Sequence, residues 1–320
     1  MLDLKDRIIL HELDLNARAT NTYVSKKAHL TKEAIAYRVS RLEADGVITG
    51  YYTIIDVSRI GFMSFRIFLG FQECTPAQER DIHEFLKKHP AVGWFASIQG
   101  NWDLNVITWV RDIYDFTDFW SELLRRFGVF IERYWVSIFT KITHFNKRYL
   151  LPESEDFVMD EMGQRQTVAL DAVDIKVLKV LSGNARVSLV ELERKSGLNY
   201  KVIAYRMKKL EENRVILRYR VAIDFGKLGY RYYKLHFYLH NINEENLSSL
   251  GNYVIGHPSV VFLNRTIGGA DLELDVQSKD ESELRTFIEK IRSEFPDLIR
   301  RHEVLQYYQE HKVLYLPHLE

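Results

Sequence analysis

The feature that most constrains this 320-residue chain is that it is written twice. At an offset of 168 residues, Leu2-Asp3 falls on Leu170-Asp171, Asp6 on Asp174, Leu10 on Leu178 and Asn16-Ala17-Arg18 on Asn184-Ala185-Arg186. The same register carries Ile35-Ala36-Tyr37-Arg38 onto Ile203-Ala204-Tyr205-Arg206, Leu42-Glu43 onto Leu210-Glu211 and Val47-Ile48 onto Val215-Ile216. Farther on it pairs Pro90 with Pro258, Gly100 with Gly268 and Asp103-Leu104 with Asp271-Leu272. A single register without gaps over this length marks a tandem duplication, so any fold proposed for one half must serve both.

Each copy opens with short helices. In the first, Lys5 to Asp14 places Leu4, Ile8, Ile9 and Leu13 inward, and Asn21 to Ala28 forms a second helix. The third, Leu30 to Ile48, puts Ile35, Val39 and Leu42 on one buried stripe, with Thr31 as N-cap and Gly46 at the left-handed exit. Lys32, Glu33, Ala36, Tyr37 and Arg41 then face outward. Val47 to Asp56 reads as a strand pair or extended wing. A helix pair with a tight connection and a small, polar outward face has the shape that enters a DNA major groove. An ordinary amphipathic helix would show the same stripe, and the duplication is what favours the groove-reading version.

From Phe62 the hydrophobic period changes. Strands, helices and turns follow in the order β-α-β-β-α-β, ending in a long aromatic strand from Val129 to Thr143, and the second copy repeats the order from Tyr232 to Tyr308. The fold class expected is therefore α+β: two copies of a winged helix-turn-helix, each followed by a ferredoxin-like βαββαβ domain. The boundaries are 1–56, 57–150, an acidic linker over 151–168, then 169–225 and 226–320. Pro152 to Thr167, rich in acid and poor in periodic apolar residues, reads as solvated.

Composition narrows the function class. The 44 basic residues balance the 44 acidic ones, so there is no overall basic coat, although a local patch remains possible. No apolar run is long enough to span a bilayer, and no secretory signal opens the chain. Cys74 is the sole cysteine, which rules out an intrachain disulfide and a thiolate zinc cluster and fits a reducing cytoplasm. The eleven histidines show no metal-ligand spacing, and no nucleophile, base and orienting partner fall together. No cofactor, metal or membrane is expected, and no catalytic residue.

The residues Leu2-Asp3, Asp6, Ile9-Leu10, Asn16-Ala17-Arg18, Arg38, Leu42-Glu43, Gly46-Val47-Ile48, Gly50-Tyr51, Asp56, Gly61 and the turn Gly100-Asn101-Trp102-Asp103-Leu104 together resemble the Lrp/AsnC, or feast/famine, transcription regulators. The resemblance covers nearly the whole chain, twice. It implies a DNA-binding regulator that is a pseudo-dimer in one polypeptide, with further homo-oligomers open to it. It also implies a small-molecule effector, such as an amino acid, bound near the Gly-x-x-Asp turns between effector domains. Fused pairs of this order also resemble the sirohaem decarboxylases. Those carry a His- and Arg-rich segment before the third strand of the sheet, where Val92 to Ile98 has neither residue and the second copy has only Arg265. An effector-free architectural DNA binder is a third reading.

Carried onto this sequence, the DNA-facing candidates are Lys32, Glu33, Tyr37, Arg38 and Arg41 in the first copy. In the second they are Tyr200, Lys201, Tyr205, Arg206, Lys208 and Lys209, with Ala204 beside them. Residues 2–56 hold eight basic and eight acidic side chains, whereas 170–224 hold twelve and seven, a net of +5. Because phosphate neutralisation dominates non-specific affinity, the second copy is expected to grip harder, with Arg218 and Arg220 contributing. Arg38 and Arg206 have an equally good alternative as partners of Asp6 and Asp174. The effector candidates are Gly100 and Asp103, and Gly268 and Asp271; each Asp would take an ammonium or simply brace its own turn. Trp102 in one turn and Gly269-Ala270 in the other make the two sites non-equivalent. Arg214 stands where the first copy has Gly46, so the second recognition helix is expected to exit through Asn213 or a different turn. The strand Val129 to Phe139 lacks the basic residues of a stacking platform and is expected to pack against the other copy.

Overall fold

The computed structural model describes residues 2–163 and 166–319. In the first copy, α1 (Leu4–Leu15), α2 (Asn21–Ala28) and α3 (Lys32–Ala44) lead into β1 (Ile48–Ile55). There follow β2 (Met63–Phe71), α4 (Pro76–Lys88), β3 (Val92–Gln99), β4 (Leu104–Val110), α5 (Ile113–Phe127) and β5 (Ile131–Phe145). A short strand, β6 (Met159–Met162), precedes the second copy. That copy comprises α6 (Ala172–Gly183), α7 (Leu189–Ser196), α8 (Tyr200–Glu212), β7 (Ile216–Ile223), β8 (Arg231–Leu239), α9 (Glu244–Ile255), β9 (Val260–Ile267), β10 (Leu272–Ser278), α10 (Glu281–Glu294) and β11 (Ile299–Val313).

Each three-helix head is closed by the periodic residues of its own copy. Ile9, Leu10, Leu13, Val24, Ala28, Ile35 and Leu42 are buried in the first, and Val177, Leu178, Leu181, Leu192, Ile203 and Leu210 in the second. Leu4, expected inward, stands 61% exposed at the first turn of α1. Both α1 and α6 begin with a capping box, Asp3 with Asp6 and Asp171 with Asp174, which satisfies two otherwise orphaned backbone donors.

The strand after the recognition helix finds no partner inside its own copy. β1 pairs antiparallel with β7, so the heads share one two-stranded ribbon rather than each carrying a separate wing. The register sets Tyr51 against Val221, Tyr52 against Arg220 and Thr53 against Tyr219. Tyr52 therefore faces its own repeat equivalent, and the pseudo-twofold axis runs through this pair. An isolated two-stranded ribbon is marginal in water. This one is clamped on both sides: Val221 and Ile223 enter the first head's core, and Ile54 and Ile55 enter the second's. The repeated Asn-Ala-Arg motif belongs to the same exchange. Arg18 donates to the carbonyls of Ala185 and Val187, and Arg186 donates to those of Ala17 and Ala19.

The effector domains join edge to edge. Strand order is β2-β4-β3-β11-β8-β10-β9-β5-β6 with β2 also paired to β5, so eight strands close into an antiparallel ring and β6 lies outside it. The seams are β3 with β11 and β5 with β9. Alternate residues face opposite ways along a strand. Phe65, Ile67 and Leu69 pack with Phe116, Phe119 and Leu123 of α5, and Leu235 and Phe237 pack with Leu284, Phe287 and Ile288 of α10. The other parity faces the lumen, where Arg66, Lys234, Glu273 and Asp275 form a buried charge network. Lys234 is pushed down to about 7, by burial first and by the Arg66 guanidinium second, with Asp275 pulling the other way. The aromatic strand thus packs against the other copy as expected, through backbone pairing of β5 to β9.

The acidic linker is not simply solvated. Residues 159–162 add to β5, and Asp160 is 3% exposed, held between Arg218 and Arg220. Beneath the ribbon, Asp14 of α1 binds Lys147 at 2.7 Å and lies 3.7 Å from Arg220. Burial pushes the Asp14 carboxyl up, but Lys147 and Arg220 outweigh it and hold the group below its ordinary value.

A carboxyl whose folded value lies below its unfolded one, about 4, stabilises the fold above that pH. The contribution disappears as pH falls through the lower folded value. Asp14→Asn strands Lys147 in the interior and costs about 3 kcal/mol. Urea unfolding at neutral pH should show that loss, and the difference between wild type and variant should shrink as the pH drops below about 4. Equal urea midpoints at pH 7 would contradict the assignment.

Candidate nucleic-acid interface and effector turns

In each head a side chain starts the recognition helix. The Thr31 hydroxyl accepts from the Ala34 amide at 3.2 Å, and the Asn199 side chain accepts from the Lys201 amide at 2.9 Å. With Ile35, Val39 and Leu42 buried below, Lys32, Glu33, Ala36 and Tyr37 face solvent, and Tyr37 is 69% exposed. On α8 the equivalent face carries Tyr200, Lys201, Ala204, Tyr205, Lys208 and Lys209, with Tyr205 64% exposed. Lys208 lies 3.6 Å from Glu212 in an exposed pair worth little. Both helices therefore present a protruding tyrosine at one repeat position, and the second adds lysines where the first has fewer.

The arginines beside the stripe have other partners. Arg38 binds Asp3 at 2.7 Å and Asp6 at 2.8 Å, and Arg41 binds Asp6 at 2.6 Å. Arg206 repeats the first arrangement with Asp171 and Asp174. The Asp6 amide and then Arg38 hold the Asp3 carboxyl below its usual range, and the Asp174 amide and Arg206 do the same for Asp171. These bonds brace the recognition helix on the first helix of its head, the bracing alternative read from the sequence for Arg38 and Arg206. Arg41 joins the same bracing.

Arg218 and Arg220 are corrections. The expected phosphate contacts are impossible for Arg220, which is 1% exposed, and Arg218 is held in a fork by both oxygens of Asp160 at 2.6 and 2.9 Å. Net charge over the second head therefore overstates what DNA meets. The missed signal was Asp160, one acid among several in a stretch read as solvated.

The Gly-x-x-Asp turns sit on the seams between the copies. Gly100 has φ +140°, and a Cβ there would meet the Leu305 side chain of β11 at 2.8 Å; at Gly268, with φ +82°, a Cβ would come within 3.2 Å of the Val136 carbonyl oxygen of β5. Glycine is required at both places by left-handed backbone and close approach together. One oxygen of Asp103 accepts from the Phe71 amide and one of Asp271 from the Leu239 amide, each at 2.7 Å. Each carboxylate thus braces its turn through one oxygen. Trp102 leans on Phe68 and Trp135 with the Arg133 guanidinium above it, and Ala270 is buried at the matching place, so the turns differ as expected.

The winged helix-turn-helix DNA-binding family matches residues 2–49 and 170–216, one match in each copy. The HTH-type transcriptional regulator FL11 of Pyrococcus horikoshii is 30% identical over 126 residues, covering 39% of this chain and 82% of that protein. The regulator LrpA of the same organism is 31% identical over 122 residues, covering 38% of this chain and 85% of LrpA. The chain belongs to the Lrp/AsnC family of transcription regulators. Each relative spans about one repeat, and this regulator joins two such repeats in one polypeptide. Across 99% of its length the fold is also similar to the siroheme decarboxylase NirDL, covering 94% of that chain at 13% identity with a TM-score of 0.65. That likeness establishes the doubled architecture.

A further departure from the sequence reading concerns the exit from α8. Gly46 ends α3 at φ +65°, and Arg214 adopts φ +54° at the matching place, so the second copy keeps the same turn with a residue that resists it. Left-handed backbone costs a non-glycine residue roughly 1–2 kcal/mol, partly offset by the greater unfolded-state entropy of glycine. Arg214→Gly should stabilise the protein by about 0.5–1 kcal/mol, read as a rise in the denaturant midpoint. A fall would show that the Arg214 side chain contributes more than its backbone costs.

Proposed function

We propose that this DNA-binding transcription regulator reads two half-sites with one polypeptide and that its second head contributes the stronger phosphate grip. The observation carrying this reading is the pair of outward faces on α3 and α8, each braced to its own head, on heads joined by the β1–β7 ribbon. With Arg38, Arg206, Arg218 and Arg220 engaged by acidic partners and Arg41 paired with Asp6 at the surface, the DNA-facing set becomes Lys32, Glu33 and Tyr37 with Tyr200, Lys201, Tyr205, Lys208 and Lys209. Lysine ammoniums engage phosphates as point charges, and the tyrosines present an aromatic edge and a hydroxyl to groove or sugar. Half-site spacing follows head separation and orientation, so an effector acts by shifting the joined heads, as a pair, relative to the effector ring or by changing how firmly they are held.

The effector reading is a small metabolite, such as an amino acid, bound between the effector domains near the turns at Gly100 and Gly268. With Asp103 and Asp271 engaged in their turns, backbone groups and neighbouring seam residues supply the polar contacts. Because the two turns differ around Trp102 and Ala270, one of them is the better site.

Titration against DNA from the chain's own promoter at several salt concentrations tests the first part. Lys201→Ala with Lys208→Ala should weaken binding and reduce the salt slope by about 2, whereas Lys32→Ala should reduce it by about 1. An unchanged slope in the double variant would remove the second head from the grip. For the effector, a thermal-shift panel of amino acids should show one that raises the melting temperature, since a ligand selective for the folded state stabilises it. A uniformly flat panel would instead favour an effector-free DNA binder.

A further inference from the structure

DNA reading leaves one buried cluster unused. His11 and Glu12, neighbours on α1, are 1% and 4% exposed, and the linker lays Asp156 beside them. One potential ligand atom from each residue lies within 4.8 Å of the other two. His11 Nε2 stands 3.3 Å from Asp156 Oδ2. That is about the edge length of a tetrahedron with metal–ligand bonds of ~2.0 Å. The Ser154 hydroxyl lies 3.3 Å from the same nitrogen and 2.9 Å from Asp156 Oδ2.

We propose that His11, Glu12 and Asp156 form a site for a divalent cation of the zinc type, which pins the linker to the first DNA-binding head. One nitrogen and two carboxylate oxygens suit Zn²⁺ with a water in the fourth position.

The ring of His11 turns Nε2 toward Asp156 and Ser154, which places that nitrogen as a ligand atom. Glu12 is buried with no lysine or arginine within ion-pairing distance among the described residues. The ammonium of Lys27 lies farther off, and the Tyr23 hydroxyl hydrogen-bonds the Glu12 carboxylate. With both carboxylates ionised the cluster carries two negative charges, one of them on the buried Glu12, and a divalent ion neutralises them. Finally, the repeat supplies an internal control. The positions matching His11 and Glu12 are Lys179 and Val180, one exposed and one half-buried. The second copy folds the same helix without this cluster, so the fold itself does not demand it.

The test uses the full chain, free of any histidine tag and stripped with a chelator. Calorimetric titration with Zn²⁺ should give one equivalent bound and a raised melting temperature, and Co²⁺ should give the visible d–d absorption of a four- or five-coordinate site. Asp156→Asn, at a side chain 47% exposed, changes the site without disturbing the core. It should weaken Zn²⁺ binding by at least about tenfold and abolish the thermal shift, as should His11→Gln. Should His11→Gln fail to fold, Asp156→Asn decides alone. No binding by the wild-type chain, or undiminished binding by Asp156→Asn, would overturn the site.

Discussion

The β1–β7 ribbon is the constraint on which the rest of the molecule depends. Because Tyr52 faces its own repeat equivalent, Arg220, the two heads are related by a local twofold axis and cannot move independently without breaking this ladder. Each strand also completes the hydrophobic core of the opposite head, so a head cut from its partner would lose Val221 and Ile223, or Ile54 and Ile55. Burial of one such aliphatic side chain is worth about 1.5–3 kcal/mol, a large fraction of a small domain's stability. The effector ring makes the same demand farther along the chain. Its seams are strand pairs between copies, so each four-stranded sheet by itself leaves two open edges.

Covalent fusion then lets the copies diverge in ways an assembly of identical subunits cannot. At the axis, one copy supplies Tyr52 and the other a fully buried arginine, compensated by Asp14 from the first head and Asp160 from the linker. In two identical chains both positions would carry the same residue, and two arginines meeting on the axis would repel. The recognition helices also differ, with α8 richer in lysine. At the exits Gly46 and Arg214 adopt one conformation at different cost. Gly100 and Gly268 both keep a positive φ while Trp102 and Ala270 change what surrounds them.

Periodicity and the repeat made the order of elements legible. The stripe at Ile35, Val39 and Leu42 marked α3, and the aromatic run marked β5. Local signals of that kind depend only on neighbours in sequence. What stayed illegible depends on partners far along the chain. The strand after Gly46 looked like a self-contained wing because nothing near it names β7 as its partner. Asp160 looked solvated because Arg218 and Arg220 lie about sixty residues away, and those arginines looked available for phosphate for the same reason. For Arg38 the ambiguity was genuine in sequence terms: an arginine beside a helix stripe suits phosphate and carboxylate equally, and only the position of Asp3 and Asp6 decides. The recurrence of both acids at Asp171 and Asp174 was the available clue.

In the free protein one chain holds two reading helices at a single separation. Spin labels at Tyr37→Cys and Tyr205→Cys, on exposed faces of α3 and α8 and in a Cys74→Ser background, measure that separation directly by pulsed electron resonance. A single narrow distance distribution, unchanged on dilution, is the predicted result. A broad or multiply peaked distribution in the free protein would show that the ribbon does not hold the heads together, and the account would fail.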